Sequence, residues 1–218
     1  MVFGWTLYQQ NGRKGLTMYR ISGFNHYLEQ NCEHSTFTEL LASGAYWYFY
    51  LHGGELIAAR IVADRVYDFD ALPADMDASA PMHPRAIAKL DVKLMYPVEF
   101  RGQVEKLLKA DEKVAERCLS PIARPGERHH IKNRTLFPLM KENVVVFITL
   151  FEGEVVRGLI GGFSRYEITV KLKGGIPVTV LRQAVYDIRD KQGRCYLKSV
   201  QQQAKDWLKS NLVQRFGR

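Results

Sequence analysis

Residues 151–188 read FEGEVVRGLIGGFSRYEITVKLKGGIPVTVLRQAVYDI. Nearly every second residue is apolar, yet glycine interrupts the stretch at Gly158, Gly161, Gly162, Gly174 and Gly175. Alternation of this kind argues for strands with one buried face. Glycine inside a strand weakens it, and is expected where the backbone bends or another segment approaches closely. Glu152-Gly153 and Gly174-Gly175 fall between apolar runs and read as tight turns. NVVVFITLF, EVVRGLIGGF, YEITVKL and PVTVLRQAVYDI then predict about five short strands in an antiparallel meander. So short a span cannot form two packed layers, and the glycines at 158, 161 and 162 therefore predict sharp bends and closure into a small barrel.

The rest of the chain frames that stretch. SPIARPGERHH (120–130) is polar, punctuated by Pro and Gly and without apolar period, so it reads as a linker. Before it, Phe100, Val104, Leu107, Leu108, Ala115 and Cys118 recur near helical spacing behind Pro97, which predicts one amphipathic helix over 98–119. After the sheet, Val200, Ala204, Trp207, Leu208, Leu212 and Phe216 form one stripe of a C-terminal helix that packs on its own domain. Thr135 caps a short helix, LFPLMKE, which Asn143 ends.

An offset of 99 residues lays 36–69 over 135–168 without a gap, matching Thr36 to Thr135, Gly54-Glu55 to Gly153-Glu154 and Tyr67 to Tyr166. Both copies show cap, short helix, strand, Gly-Glu turn and strand, and in the first Thr36 with Glu39 makes a capping box. The pattern predicts an internal duplication, with domains at 1–119 and 132–218 joined by 120–131. The first ~35 residues give no more than a strand pair and a short helix.

A capped helix followed by bent strands, with TLFPLMKE, NVVVFITLFEGEVVRGLIGGFSRYEI and VTVLRQAVYDI in that order, resembles the Sm-like family and within it the Hfq-type RNA-binding domain. Gly153, Gly158 and Phe163 stand where that family keeps a turn glycine, a bent-strand glycine and a closing aromatic. The resemblance covers 131–190, with a weaker echo at 36–95. It implies a mainly β fold with flanking helices (α+β), built of small, strongly bent, five-stranded antiparallel barrels in two tandem copies. It also implies RNA binding at a Gln-aromatic pair and a Lys-His pair, positions that here read Arg165-Tyr166 and Arg182-Gln183. Two of the four depart from the family in chemical type, so a preference for uridine is not carried over. The first copy reads Val66-Tyr67 at the first pair and lacks the charges, so the resemblance implies no equivalent site there.

Charge agrees with a polyanion as partner. From Ser120 onward there are 18 Lys and Arg against 8 Asp and Glu, a net of +10, whereas residues 1–119 carry −2 of the total +8. Tyr166 offers a stacking face, Arg165 and Arg182 reach phosphate or base edges, and Arg157, Lys171 and Lys173 alternate outward on strands. The expected partner is single-stranded RNA. Unpaired barrel edges add a homo-oligomer, a ring or a trimer of tandem barrels, or a protein partner.

Other chemistries find little footing. DFDALPADMD lacks the central glycine and final glutamate of a calcium loop. His129-His130 and the pair His26 and His34 have no ligand spacing, and Cys32, Cys118 and Cys195 are odd in number and scattered. No phosphate-binding glycine loop, nucleophile elbow or carboxylate pair is present, so neither catalysis, metal nor cofactor is expected. No apolar run reaches the ~18 residues of a membrane span, and the start lacks a leader's basic and apolar blocks, which predicts a cytoplasmic protein. The sequence thus supports a non-catalytic RNA-binding protein of post-transcriptional regulation or a ribonucleoprotein. The alternative is a scaffold that uses the same fold for protein contacts, suggested by the aromatic-rich AYWYFY.

Overall fold

The computed structural model describes residues 22–74, 83–124, 128 and 131–197. The predicted C-terminal helix and His129-His130 lie outside the described residues. The first half opens with α1 (Phe24–Asn31) and α2 (Thr36–Ser43), then β1 (Trp47–Leu51), β2 (Leu56–Asp64), β3 (Asp68–Pro73), β4 (Arg85–Ala88) and β5 (Val92–Pro97). A joining region holds α3 (Arg101–Leu107), β6 (Lys109–Ala110) and α4 (Glu112–Ala115). The second half repeats the plan with α5 (Asn133–Lys141), β7 (Val145–Leu150), β8 (Glu154–Phe163), β9 (Glu167–Lys171), β10 (Pro177–Leu181) and β11 (Val185–Asp190).

The strands of the second half are where the alternation predicts them, and the acidic stretch from Asp68 adds β3, but the strands do not close into barrels. They form one open antiparallel sheet of 11 strands, ordered β11-β7-β8-β9-β10-β5-β1-β2-β3-β4, with β6 paired to β8. This corrects the expectation of small five-stranded barrels. Closing each half would require β4 to pair with β5 and β10 with β11. Instead β10 takes β5 of the other half, with Thr179 opposite Met95 and Val180 opposite Leu94. A strand's alternation states that one face is buried; it leaves open which edge the strand offers to which neighbour. Both halves nevertheless show the same internal order, fifth-first-second-third-fourth, each behind a short helix.

Two cores flank the junction. The smaller gathers Phe37, Leu40, Phe49, Ile61 and Phe69 beneath α2, with Phe69 5.1 Å from both Phe37 and Phe49, ring centre to ring centre. The larger joins the second sheet half to Phe24 of α1, Val104 of α3 and Leu136 and Phe137 of α5. Every residue of β5 is buried; Leu94 and Tyr96 enter the larger core and Val92 and Met95 the smaller.

Three local expectations change. The helix expected over 98–119 is broken, because Leu108 is extended and Lys109–Ala110 pair with Val155 and Glu154 of β8. The capping box of Thr36 with Glu39 does not form. Ser35 is the N-cap without a side-chain bond, and the Thr36 amide and hydroxyl donate to the Glu167 carboxylate at 2.9 and 2.6 Å. A second-half carboxylate thereby caps a first-half helix. In α5 the N-cap is Lys132, not Thr135, while Asn143, in left-handed backbone at φ 50°, ends the helix as expected.

Candidate nucleic-acid interface

The turn between β8 and β9 carries Ser164, Arg165 and Tyr166. It is closed by the Ser164 amide donating to the Glu167 carbonyl at 3.0 Å. Buried Glu167 and Phe163 anchor its two ends, so Arg165 and Tyr166 are pushed outward. The Tyr166 side chain is 59% exposed, and the Arg165 guanidinium lies 5.6 Å from the centre of its ring. The Arg182 amide donates to the Tyr166 carbonyl at 2.9 Å and brings the Arg182–Ala184 3-10 turn alongside. Arg165, Tyr166 and Arg182 are therefore neighbours.

Arg182 itself is not a surface cation. Its guanidinium lies 5.6 Å over the Phe163 ring and donates to the Ile131 carbonyl through Nη1 at 3.4 Å. Its Nε and Nη2 are buried without a hydrogen-bond partner among the described residues. Burial pulls its pKa down to about 10, so it remains charged at neutral pH. An arginine with two open donors is suited to an oxyanion or a base edge.

The other predicted residues part company with this trio. The Gln183 amide donates to the Lys89 carbonyl at 2.8 Å, so it ties the two halves together and does not face a ligand. Lys171 and Lys173 are exposed but stand at the far end of β9, roughly 16 Å along the strand from Tyr166. Arg157 is half-buried on β8, its guanidinium 5.5 Å over the Phe147 ring.

The sequence reading missed Lys89. Its amide donates to the Tyr67 carbonyl at 2.8 Å, the same bond that Arg182 makes to Tyr166. Tyr67 and Tyr166 obey the offset of 99, whereas Lys89 and Arg182 differ by 93, so the insertion between them hid the match; aligning AKLDV with LRQAV would have exposed it. The first-half turn is electrostatically closed all the same. Lys89 pairs with Asp64 at 2.6 Å, and Arg65 with Asp68 and Asp70.

A second polar cluster sits at the junction of the halves. Lys93 of β5, 0% exposed, is held between the Glu152 and Glu154 carboxylates with its ammonium 4.1 Å from the centre of the Tyr50 ring. Glu152 also accepts from the Gly53 amide at 2.7 Å and contacts His52 Nδ1 at 3.2 Å. Burial raises the Glu152 carboxyl, but Lys93, the Gly53 amide and His52 together outweigh it and leave the pKa below its ordinary value. Burial depresses His52 below its ordinary 6.5, against the pull of Glu152. The cluster is a sealed ion network with each charge engaged, and we assign it a structural role.

His52 is more easily protonated in the unfolded chain, so its contribution to stability is full above pH 6.5 and is lost as pH falls below that value toward the folded pKa. Glu152 adds a loss below its ordinary 4.5. Glu167, raised by burial despite its bonds from Thr36, has the opposite sign and gains as pH falls. The expected result is a urea midpoint lower at about pH 5.5 than at about pH 7.5, with the difference reduced in His52→Gln, since only that residue's proton uptake is removed.

Elsewhere the chemistry is quiet. Among the described residues no group of His, Cys, Asp or Glu is placed to hold a metal ion, and no helix is long and apolar enough to cross a membrane. Burial and the Asp187 carboxylate push the Cys195 thiol up to about 12, far from a nucleophile's range. A cavity of about 280 Å³ lies against β2, β3 and β4, lined by Leu56, Ile57, Ala71 and Ile87 and crossed by the Arg85–Glu55 pair; it contains none of the predicted binding residues. Comparison with protein-family models, with curated proteins and with solved structures finds no match.

Proposed function

We propose that the chain binds single-stranded RNA without catalysing a reaction on it, as a cytoplasmic protein of post-transcriptional regulation or of a ribonucleoprotein. The observation that carries the reading is the exposed Arg165–Tyr166 pair beside Arg182, a charged arginine with two open donors. A base stacked on Tyr166 would gain roughly 1–3 kcal/mol, and the two arginines would take phosphate or base edges. The +10 excess of residues 120–218 supports the same partner.

Fluorescence anisotropy of a labelled oligouridylate at low salt tests this. Arg165→Ala with Arg182→Ala is expected to weaken binding at least about tenfold and to flatten the log–log salt dependence by about 1.4, the share of two phosphate contacts on a single strand. An unchanged affinity would remove the site from consideration.

Protein contact is the second reading, favoured by the first half. Val66 and Tyr67 are 79% and 83% exposed at the tip of the β2–β3 turn, beside carboxylates and not free cations. Among the described residues the sheet also ends in β4 with no strand beyond it, whereas β11 is bridged on its outer side by Cys195 and Tyr196. Self-association by edge pairing would therefore run through β4, and a mass in solution above the monomer's 25.1 kDa is its signature.

A further inference from the structure

The segment from Phe24 to Glu33 lies across the residues assigned to RNA. As a helix α1 is weakly specified: Gly23 supplies no side-chain cap, the first turn has no carboxylate, the last has no cation, and only Phe24 is buried. Aromatic contacts hold it, Phe24 and Tyr27 against Phe137 at 5.4 and 5.5 Å and Tyr27 against Phe163 at 4.7 Å.

Its polar contacts with the rest of the chain go to the binding turn. The Tyr27 hydroxyl donates to the Phe163 carbonyl at 3.0 Å and accepts from the Phe163 amide at 2.7 Å. The Cys32 carbonyl accepts from the Arg165 amide at 2.8 Å, and the Glu33 carboxylate stands 3.7 Å from the Arg165 guanidinium. A buried guanidinium with two unpartnered N–H donors is rare enough to need a reason. A covered binding site supplies one.

We infer that Phe24–Glu33 is an autoinhibitory strap, which shuts the Arg182 donors away from solvent and sets the Glu33 carboxylate against Arg165 where an RNA phosphate would lie. RNA entry lifts the strap. This rests on the RNA-binding reading above and adds its regulation: the free protein binds below the capacity of its site, and anything that draws α1 away activates it.

The test uses the full chain and a fluorescein-labelled oligouridylate at low salt. Tyr27→Phe with Glu33→Gln keeps the ring and the size of both side chains while removing the hydroxyl bonds and the carboxylate. Affinity is expected to rise about five- to tenfold, the worth of roughly one hydrogen bond of strap stability, and Arg182→Ala in that background should cancel the gain. Hydrogen exchange on the wild-type chain gives a second readout that needs no variant: amides 27–32 should lose protection at saturating RNA. Equal affinity of wild type and variant, or unchanged protection in bound wild type, overturns the strap and leaves RNA binding standing. If neither protein binds, both readings fall.

Discussion

Lys93→Ala is expected to lower the free energy of unfolding by roughly 3–5 kcal/mol, about 10 °C in Tm for a chain of this length. The lysine is wholly buried, and its ammonium is the cation that the Glu152 and Glu154 carboxylates share, themselves only 25% and 14% exposed. Removing it leaves two like charges facing each other in a poorly solvated site where Glu154 Oε2 already has no donor. The loss falls on the junction. β5 and β10 join the two halves through Leu94–Val180 and Met95–Thr179, and the Lys93 cluster is one of the polar ties beside that seam. A triple variant, Lys93→Met with Glu152→Gln and Glu154→Gln, removes the charges together and should recover most of the loss, because a buried ion network is costly chiefly when half of it is deleted. Urea unfolding of the three proteins at pH 7.5 measures both effects. A Lys93→Ala loss under about 1 kcal/mol would mean that water solvates the carboxylates and that the cluster is not sealed.

Lys93 also shows where the sequence stops being legible. In KLDVKLMY it reads as one outward lysine of an alternating strand, and nothing nearby marks its partners, which follow some sixty residues later. The strands themselves are legible: NVVVFITLF, EVVRGLIGGF and YEITVKL become β7, β8 and β9, since alternation reports burial directly. Their pairing is not, because β5 and β10 offer edges that local pattern cannot tell from those of β4 and β11. Of the glycines inside β8, Gly158 marks a close backbone approach, Gly161 faces only the Lys171 side chain and Gly162 only the Tyr27 hydroxyl at ordinary contact distance, and none of this requires a closed barrel. At the candidate site Tyr166 was readable as an aromatic next to Arg165 at the entry to a strand. Arg182 was not readable as buried, because the ring beside it is Phe163 of β8, and Phe163 is in turn packed by Tyr27 of α1, in the stretch that gave least from sequence. The capping of Thr36 by Glu167 has the same character: the local partner, Glu39, was near in sequence, and the better one arrived through the fold.

Gly158→Ala is the sharpest test of what those glycines do. An alanine usually stabilises a compatible site by about 0.4–1 kcal/mol, because it restricts the unfolded chain. At Gly158 a Cβ would stand 2.4 Å from the Lys171 carbonyl oxygen and 2.6 Å from Val170 Cγ1. The first obstacle is backbone, so β8 and β9 must separate to admit it. They are paired immediately beside it, with Leu159 opposite Lys171 and Ile160 opposite Val170. Separation would strain those bonds and the larger core to which Val170 and Ile160 belong. The expected cost is therefore roughly 1–3 kcal/mol, the sign reversed from the ordinary case. Gly162 is the internal control, on the same strand and past the bulge between Ile160 and Gly162, where a Cβ meets nothing nearer than the Tyr27 hydroxyl at 3.5 Å. Gly162→Ala should fall within about 0.5 kcal/mol of wild type in urea unfolding. The contrast between the two positions matters more than either value: glycine chosen for loose turn grammar would make them alike, and glycine chosen for contact makes only the first intolerant. If both variants unfold at the wild-type midpoint, β8 and β9 are not held at the separation that makes Gly158 intolerant of a side chain.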